Sequence, residues 1–266
     1  MKYNRMGKVI LMIAMSFMVF VNSEVAYASS LIVEGEQPDL EEEAQAKDVY
    51  YSLGKVTDAY KFYKVTVKNP GMLRIKFTCL NGNVKAALFD SQKIMLSSET
   101  TVKAAKPQAT YYVGKTGTYF FRLKCAAGKT AIAKYMFSKR IKLGGTTFAK
   151  ADILKKGVKK SSIFGFEGST SQKQYFKIKI TNEELVRVKI TKGNSCSDED
   201  TVYIRIYKSN DKKNRVTWGW IYEGQGKATL YIRNSKNHKT IPGTYYIVLS
   251  KAFKTSGFDY SLTWLK

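Results

Sequence analysis

One histidine, three cysteines and four prolines in 266 residues leave little room for several kinds of chemistry. His238 sits in a loop among Asn237, Lys239 and Thr240, and no G-x-S-x-G elbow offers it a nucleophile, so a Ser-His-Asp arrangement lacks its parts. H-E-x-x-H, a P-loop and a cluster of Cys and His ligands are missing as well, which removes zinc hydrolysis and nucleotide-phosphate chemistry. Cys79, Cys125 and Cys196 are odd in number and not spaced for zinc. If a bridge forms, Cys79 to Cys125 is the better candidate, joining two strand ends of one repeat and leaving Cys196 free. Acids are scarce after residue 48, although any two could approach in space as the carboxylate pair of a glycoside hydrolase. Helical periodicity is absent apart from a turn-length pattern in Leu40–Ala46.

Long apolar runs are confined to the start of the chain. Lys2, Arg5 and Lys8 precede a run from Val9 to Val21 that is apolar but for Ser16, and Ala26-Tyr27-Ala28 follows. The run is short for a membrane span, and small residues flank the expected cut after Ala28, so residues 1–28 read as a secretory signal peptide. No later stretch is long enough to span a bilayer, no cysteine follows the cut to take a lipid, and no apolar sorting tail closes the chain. The expectation is a secreted, extracellular protein without a transmembrane anchor, soluble outside the cell or held non-covalently at the cell wall.

What is abundant is positive charge: 45 Lys and Arg against 21 Asp and Glu give +24 at pH 7. Removing the leader takes away three basic residues and one acid, which leaves +22. Glu34, Glu36, Asp39, Glu41, Glu42 and Glu43 form an acidic N-terminal stretch, so the remainder is more basic than the average. Such a surplus attracts polyanions. The candidate partners outside a cell are anionic wall polymers, polysaccharide or a matrix protein, with no specific nucleic acid. A solvated lysine-rich surface without a dedicated partner is the bland alternative.

Tyrosine, phenylalanine and β-branched residues then organise the chain. Residues 49–78 and 162–191 align at a constant shift of 113: Phe62-Tyr63 meets Tyr175-Phe176, Val65 meets Ile178, Val67 meets Ile180, and Leu73-Arg74-Ile75-Lys76 meets Val186-Arg187-Val188-Lys189. Val84, Leu88 and Phe89 follow against Val202, Ile206 and Tyr207, then Ala109–Val113 against Ala228–Ile232. GTYFFRLK at 117–124 matches GTYYIVLS at 243–250, and Tyr135 matches Tyr260. A unit of somewhat over a hundred residues therefore occurs twice. Its segments are short and alternate apolar with polar residues, and Asn69-Pro70-Gly71, Asn81-Gly82-Asn83 and Lys115-Thr116-Gly117 punctuate them. The fold class expected is all-β, with two tandem antiparallel β-sandwich domains: the acidic segment and first repeat over 29–143, and the second repeat over 144–266.

IPGTYYIVLSKAFKTSGFDYSLTW, residues 241–264, resembles the bacterial pre-peptidase C-terminal domain family, in which a Pro-Gly-Thr-Tyr-Tyr strand leads to a last strand bearing tyrosine and leucine. Asp198-Glu199-Asp200-Thr201-Val202-Tyr203-Ile204 is similar to that family's Asp-x-Asp-Leu-Tyr strand opening, with Thr201-Val202 in place of the usual Leu. Gln174-Tyr175-Phe176-Lys177-Ile178 is similar to its Asp-Tyr-Tyr-x-Phe strand, without the Asp. The first unit matches more weakly, at GNVKAALFD and GTYFFRLK. The resemblance implies a compact jelly-roll-like sandwich that is non-catalytic. Similar domains in bacterial collagenases bind collagen and calcium, neither of which transfers by fold alone.

Three sets of residues are candidates for binding. Trp218, Trp220 and Tyr222 share a strand face by their period of two. Large aromatics so placed are buried more often than not, which favours a core face, and the alternative is a platform for sugar rings. Gly219 leaves the opposite face bare, as for a close approach. Lys64, Lys76, Lys177, Lys179 and Lys189 alternate with apolar residues and point to the wet side of their strands. Asn194, Asp198, Glu199 and Asp200 gather oxygen donors of the kind calcium takes, against a solvated turn as the plainer reading; no other cofactor is expected. Together these describe a secreted binding or adhesion protein without catalysis. The alternatives are a glycan-active hydrolase with an unrecognised carboxylate site and a structural accessory to another secreted protein.

Overall fold

The computed structural model describes residues 32–34, 49–78, 82–139, 143–193, 201–222, 224–233 and 239–265. The leader, Leu40–Ala46, Cys79, Asn194, Cys196, Asp198, Glu199, Asp200 and His238 lie outside the described residues. Alternating sequences become strands throughout. The N-terminal sandwich is built of β1 (Ile32–Glu34), β2 (Tyr51–Val56), β3 (Lys61–Val67), β4 (Gly71–Thr78), β5 (Val84–Phe89), β6 (Thr100–Val102), β7 (Gln108–Val113), β8 (Gly117–Cys125) and β9 (Ala131–Lys139). The C-terminal sandwich is built of β10 (Asp152–Ile153), β11 (Lys159–Phe164), β12 (Lys173–Ile180), β13 (Val186–Lys192), β14 (Val202–Lys208), β15 (Asp211–Ile221), β16 (Lys227–Ile232), β17 (Gly243–Lys251) and β18 (Phe258–Trp264). Among the described residues no helix is long and apolar enough to cross a membrane.

Each sandwich pairs a five-stranded with a four-stranded sheet, and the strand orders correspond position for position. The first has β1-β3-β8-β5-β6 over β2-β9-β4-β7, and the second has β10-β12-β17-β14-β15 over β11-β18-β13-β16. Pairing is antiparallel except at one edge of each larger sheet, where β1 lies parallel to β3 and β10 parallel to β12. The near-duplicate phrases GTYFFRLK and GTYYIVLS occupy equivalent central strands, β8 and β17. Both open on a glycine at an equivalent φ, +148° at Gly117 and +149° at Gly243, opposite the last residues of β3 and β12. A side chain there is strained, which is why the phrase begins with Gly in both places.

Inward residues of the two sheets fill each core. Val65, Leu73, Ile75, Leu88, Tyr111 and Phe121 belong to the first core, and Ile178, Val188, Ile204, Ile206, Ile247 and Leu262 to the second. Cys125 is a free thiol buried in the first core with its Sγ 3.6 Å from the Val56 carbonyl, so the bridge to Cys79 expected as the better pairing is not formed. A position at the end of a strand brought Cys125 inward, where it packs as a small apolar side chain.

Ile163 of β11 packs against Met72, Tyr112 and Met136 of the first sandwich, and a second side chain enters the first core itself. Phe166 follows β11 in the second sandwich, yet its ring belongs to the first core, 5.9 Å from Tyr111. Its amide donates to the Tyr112 carbonyl at 2.8 Å, and the Tyr112 hydroxyl donates to Asp259 Oδ1 at 2.8 Å. Gly165 and Gly257 make this insertion sterically feasible: a Cβ on the first would strike the Gly114 backbone, and one on the second would strike the Phe166 ring. Beside it, Lys251 is 1% exposed. Its register opposite Val202 turns it toward the sheet interior, where its Nζ donates to the carbonyls of Gly165 (2.8 Å), Phe166 (3.3 Å), Lys254 (3.0 Å) and Ser256 (2.8 Å).

Candidate binding face

In β14 the sequence VYIRIYK sends Val202, Ile204 and Ile206 to the core, so Tyr203, Arg205 and Tyr207 take the outer face of the sheet. Its neighbour β15 continues both faces. Ile221 pairs with Val202 and Gly219 with Ile204 on the inner side, whereas Trp220 pairs with Tyr203 and Trp218 with Arg205 on the outer side. Cross-strand register extends these rows over the sheet. One runs Lys173, Ser250, Tyr203, Trp220, and the next runs Tyr175, Val248, Arg205, Trp218.

The three aromatics of TWGWIY therefore form an outer stripe at the sheet edge. Ring centroids are 4.6 Å apart for Trp218 and Trp220 and 5.3 Å for Trp220 and Tyr222. Trp218 is 52% exposed, Tyr222 49% and Tyr203 38%. The expectation of a core face is thus overturned. The inner space beside Gly219 is filled from the other sheet by Leu230, whose side chain lies 3.4 Å from where a Cβ would stand, so the rings have only the outer side available. Contiguous exposed aromatic surface of this kind marks an interaction site more often than not.

Cations line the stripe. The Arg215 guanidinium lies 5.6 Å from the Trp218 ring, and that of Arg205 lies 5.4 Å from the Tyr203 ring while donating to Ser250 Oγ at 3.1 Å. Beside the stripe is a shallow pocket of about 230 Å³ whose walls include Thr170, Lys173, Tyr203, Arg205, Tyr207 and Ser250. At the far end of the sheet Phe148 stacks edge-on against Tyr175, Tyr207 and Tyr246, with centroids 4.9, 5.8 and 5.0 Å away. Burial pushes the Tyr175 phenol up, so it stays a neutral hydrogen-bonding group.

Of the five lysines singled out in the sequence, Lys177 and Lys179 share this sheet with the aromatics, both on β12. Lys189 lies on β13, in the opposite sheet of the same sandwich, and Lys64 and Lys76 lie on the two different sheets of the first sandwich. They are spread over four sheets and compose no single patch. Asp198, Glu199 and Asp200 fall outside the described residues, and among those described no three of His, Cys, Asp and Glu gather to hold a metal. Tyr203, Arg205, Tyr207 and Arg215 were not singled out as binding residues from the sequence. The alternation in VYIRIYK that predicts the strand carried the signal, because three outward positions in a row there are aromatic or cationic.

The corresponding face of the first sandwich is closed. Phe62, Phe89 and Phe120 are 4%, 2% and 7% exposed, and Lys93 Nζ lies 5.1 Å above the Phe62 ring. Its cations are also satisfied internally: Glu99 accepts from Tyr60 at 2.9 Å and pairs with Lys85 and Arg122, each at 3.1 Å. Burial works against the Glu99 charge, but those hydrogen bonds outweigh it and hold the carboxyl below its usual range.

No protein-family model matches the chain, and no curated protein matches it in sequence. Solved structures give loose superpositions. The pre-peptidase C-terminal domain of the collagenase from Bacillus anthracis is 10% identical and covers 42% of this chain and 91% of its own, with a TM-score of 0.32. The PBSX exported protein XepA is 9% identical over 83% of this chain and 88% of its own, at 0.26. A carbohydrate-binding module of the β-sandwich superfamily is 10% identical over 76% of this chain and all of its own, at 0.25. Overlaps this loose carry no residue correspondence, so the aromatic face stands on its own geometry.

Proposed function

We propose that this is a secreted, non-catalytic binding protein that holds a polysaccharide against the outer face of β14 and β15. The observation that carries the reading is the exposed stripe of Trp218, Trp220 and Tyr222, three rings in mutual contact with Arg215 beside them. Sugar rings present flat C–H faces that stack on such a surface, and flanking guanidinium and hydroxyl groups bond the sugar hydroxyls. A shallow, open face suits a polymer passing along it better than a small molecule that needs enclosure. A second cavity, about 390 Å³, is lined by Asp90 and Glu167. Asp90 Oδ1 accepts the amides of Gln92 and Ile94, and Glu167 Oε1 accepts the Gly114 amide and the Tyr119 hydroxyl, while burial pushes the Glu167 carboxyl up.

The test is retention of the protein, lacking residues 1–28, on immobilised neutral and acidic polysaccharides, beside a Trp218→Ala/Trp220→Ala variant. Trp218 is half exposed, so its substitution should cost about 1 kcal/mol or less in stability, and that of the partly buried Trp220 somewhat more, both short of the roughly 3–5 kcal/mol of a core tryptophan. Retention should nevertheless fall by on the order of tenfold, from about 0.5–1.5 kcal/mol of stacking per ring. Unchanged retention by a folded double variant would overturn the reading.

A further inference from the structure

The first sandwich completes its outward cation cluster with a carboxylate of its own; among the described residues the second does not. Glu99 lies among Tyr60, Lys85 and Arg122, and the Arg122 guanidinium sits 4.6 Å from the Tyr60 ring. The second sandwich assembles the same group types on its outer face: Tyr203, with the Arg205 guanidinium 5.4 Å from its ring, and Lys173 two strands away in the same cross-strand row. Among the described residues no carboxylate pairs with Arg205 or Lys173, and the pocket of about 230 Å³ lies between them with no acidic residue in its walls. Arg205 is held in place by its bond to Ser250 Oγ, which leaves its remaining N–H donors for another acceptor.

We propose that this pocket is a subsite for the carboxylate of a uronic acid residue in the bound polysaccharide. The inference rests on the polysaccharide reading above and deepens it. Tyr203 lines the pocket and pairs across the strands with Trp220, so a chain stacked on the stripe brings its next ring over the pocket. A carboxylate on that ring is planar and fits a guanidinium fork through two parallel bonds. A polyol phosphate polymer supplies charge but no ring for the stripe, which is why a uronate is favoured over a phosphodiester. The formal charge of +22, left when the leader's three basic residues and one acid are taken from +24, adds long-range attraction for any polyacid, and the pocket adds the choice among them.

The experiment measures affinity for polygalacturonate, alginate and hyaluronate, each beside its methyl ester, and for a glycerol phosphate polymer. At least one acid should bind about tenfold or more tighter than its own ester, and Arg205→Gln should collapse that ratio toward one. Lys173→Gln, at an exposed position, carries the same test if Arg205→Gln does not fold. Trp218→Ala/Trp220→Ala should weaken acid and ester alike and leave their ratio. Equal affinity for acid and ester in the unmodified protein, no binding of any of the three acids, or preference for the phosphate polymer would each overturn the subsite. If the double tryptophan variant binds the ester as the unmodified protein does, the platform fails instead.

Discussion

Replacing Lys251 by methionine keeps most of the side chain's volume and removes a buried charge from the junction of the two sandwiches. Burial lowers the ammonium from 10.5 to about 8, while the nearby Glu167 carboxylate pulls the other way. That displacement corresponds to about 3 kcal/mol of cost at neutral pH, which methionine removes. The same change leaves the carbonyls of Gly165, Phe166, Lys254 and Ser256 without this donor. At about 1.5 kcal/mol for each of the ammonium's three N–H donors the loss is about 4.5 kcal/mol, so the variant should be less stable by about 1.5 kcal/mol. The pH dependence has its own sign. Below pH 8 Lys251 is charged both folded and unfolded, and its cost is constant. Between pH 8 and 10.5 the unfolded chain keeps the proton that the folded chain gives up, so stability rises with pH, by about 2 kcal/mol from pH 7.5 to 9.5. Burial raises the Cys125 thiol, which opposes this slope near pH 9, and pushes the Tyr63 phenol up to about 12, which acts from about pH 10. The Lys251 contribution is therefore the difference between the unmodified protein and Lys251→Met. Urea unfolding followed by tryptophan fluorescence at the two pH values gives it. A variant as stable as the parent at pH 7.5, or one with the same pH slope, would refute the account.

Residues 144–266, expressed alone, should melt cooperatively, since β10–β18 supply both sheets and their core; a non-cooperative product would show that the copies share strands. Residues 29–143 alone should be weaker, and Phe166→Ala in the full chain should cost about 3–5 kcal/mol through the cavity it leaves in the first core. Retention on an acidic polymer should fall between 0.1 and 1 M salt as the screening length contracts from about 10 to about 3 Å. Lys177→Glu/Lys179→Glu on the aromatic sheet should weaken it more than Lys64→Glu/Lys76→Glu on the first sandwich. Equal effects of the two pairs would mean that binding is spread over the whole surface.

Strand positions were legible because burial of one face imposes a period of two, and KFYKVTV and TYYVG carry it in their letters. The same period is silent about which face is the core. In TWGWIY the apolar choice seemed to be the tryptophans, but Ile221 and Gly219 with Leu230 behind it form the inner side. Size misled, since a large ring is as much at home on an edge strand facing out as in a core. The matching aromatics of the first sandwich, Phe62, Phe89 and Phe120, lie on an outer face too, but they are covered. Alternation marks all of them alike, and only the mutual packing of the three rings under the Lys93 side chain separates the two cases. The lysines show the same limit in another form: each alternates with core residues along its strand, yet sheet membership scatters them. The Phe166 insertion left no local trace at all, because a phenylalanine after a strand reads as the end of its own core.

Phe166 also sets an order of events for a chain that leaves its exit channel N-terminus first. Strands β1–β9 emerge complete, but the first core still lacks the ring that packs against Tyr111, and that place stays open until β11 has followed. The sandwich made first therefore closes only after the second has begun to emerge. Its closing depends on a turn whose carbonyls are gathered by Lys251, a residue supplied later still, by the last strand but one.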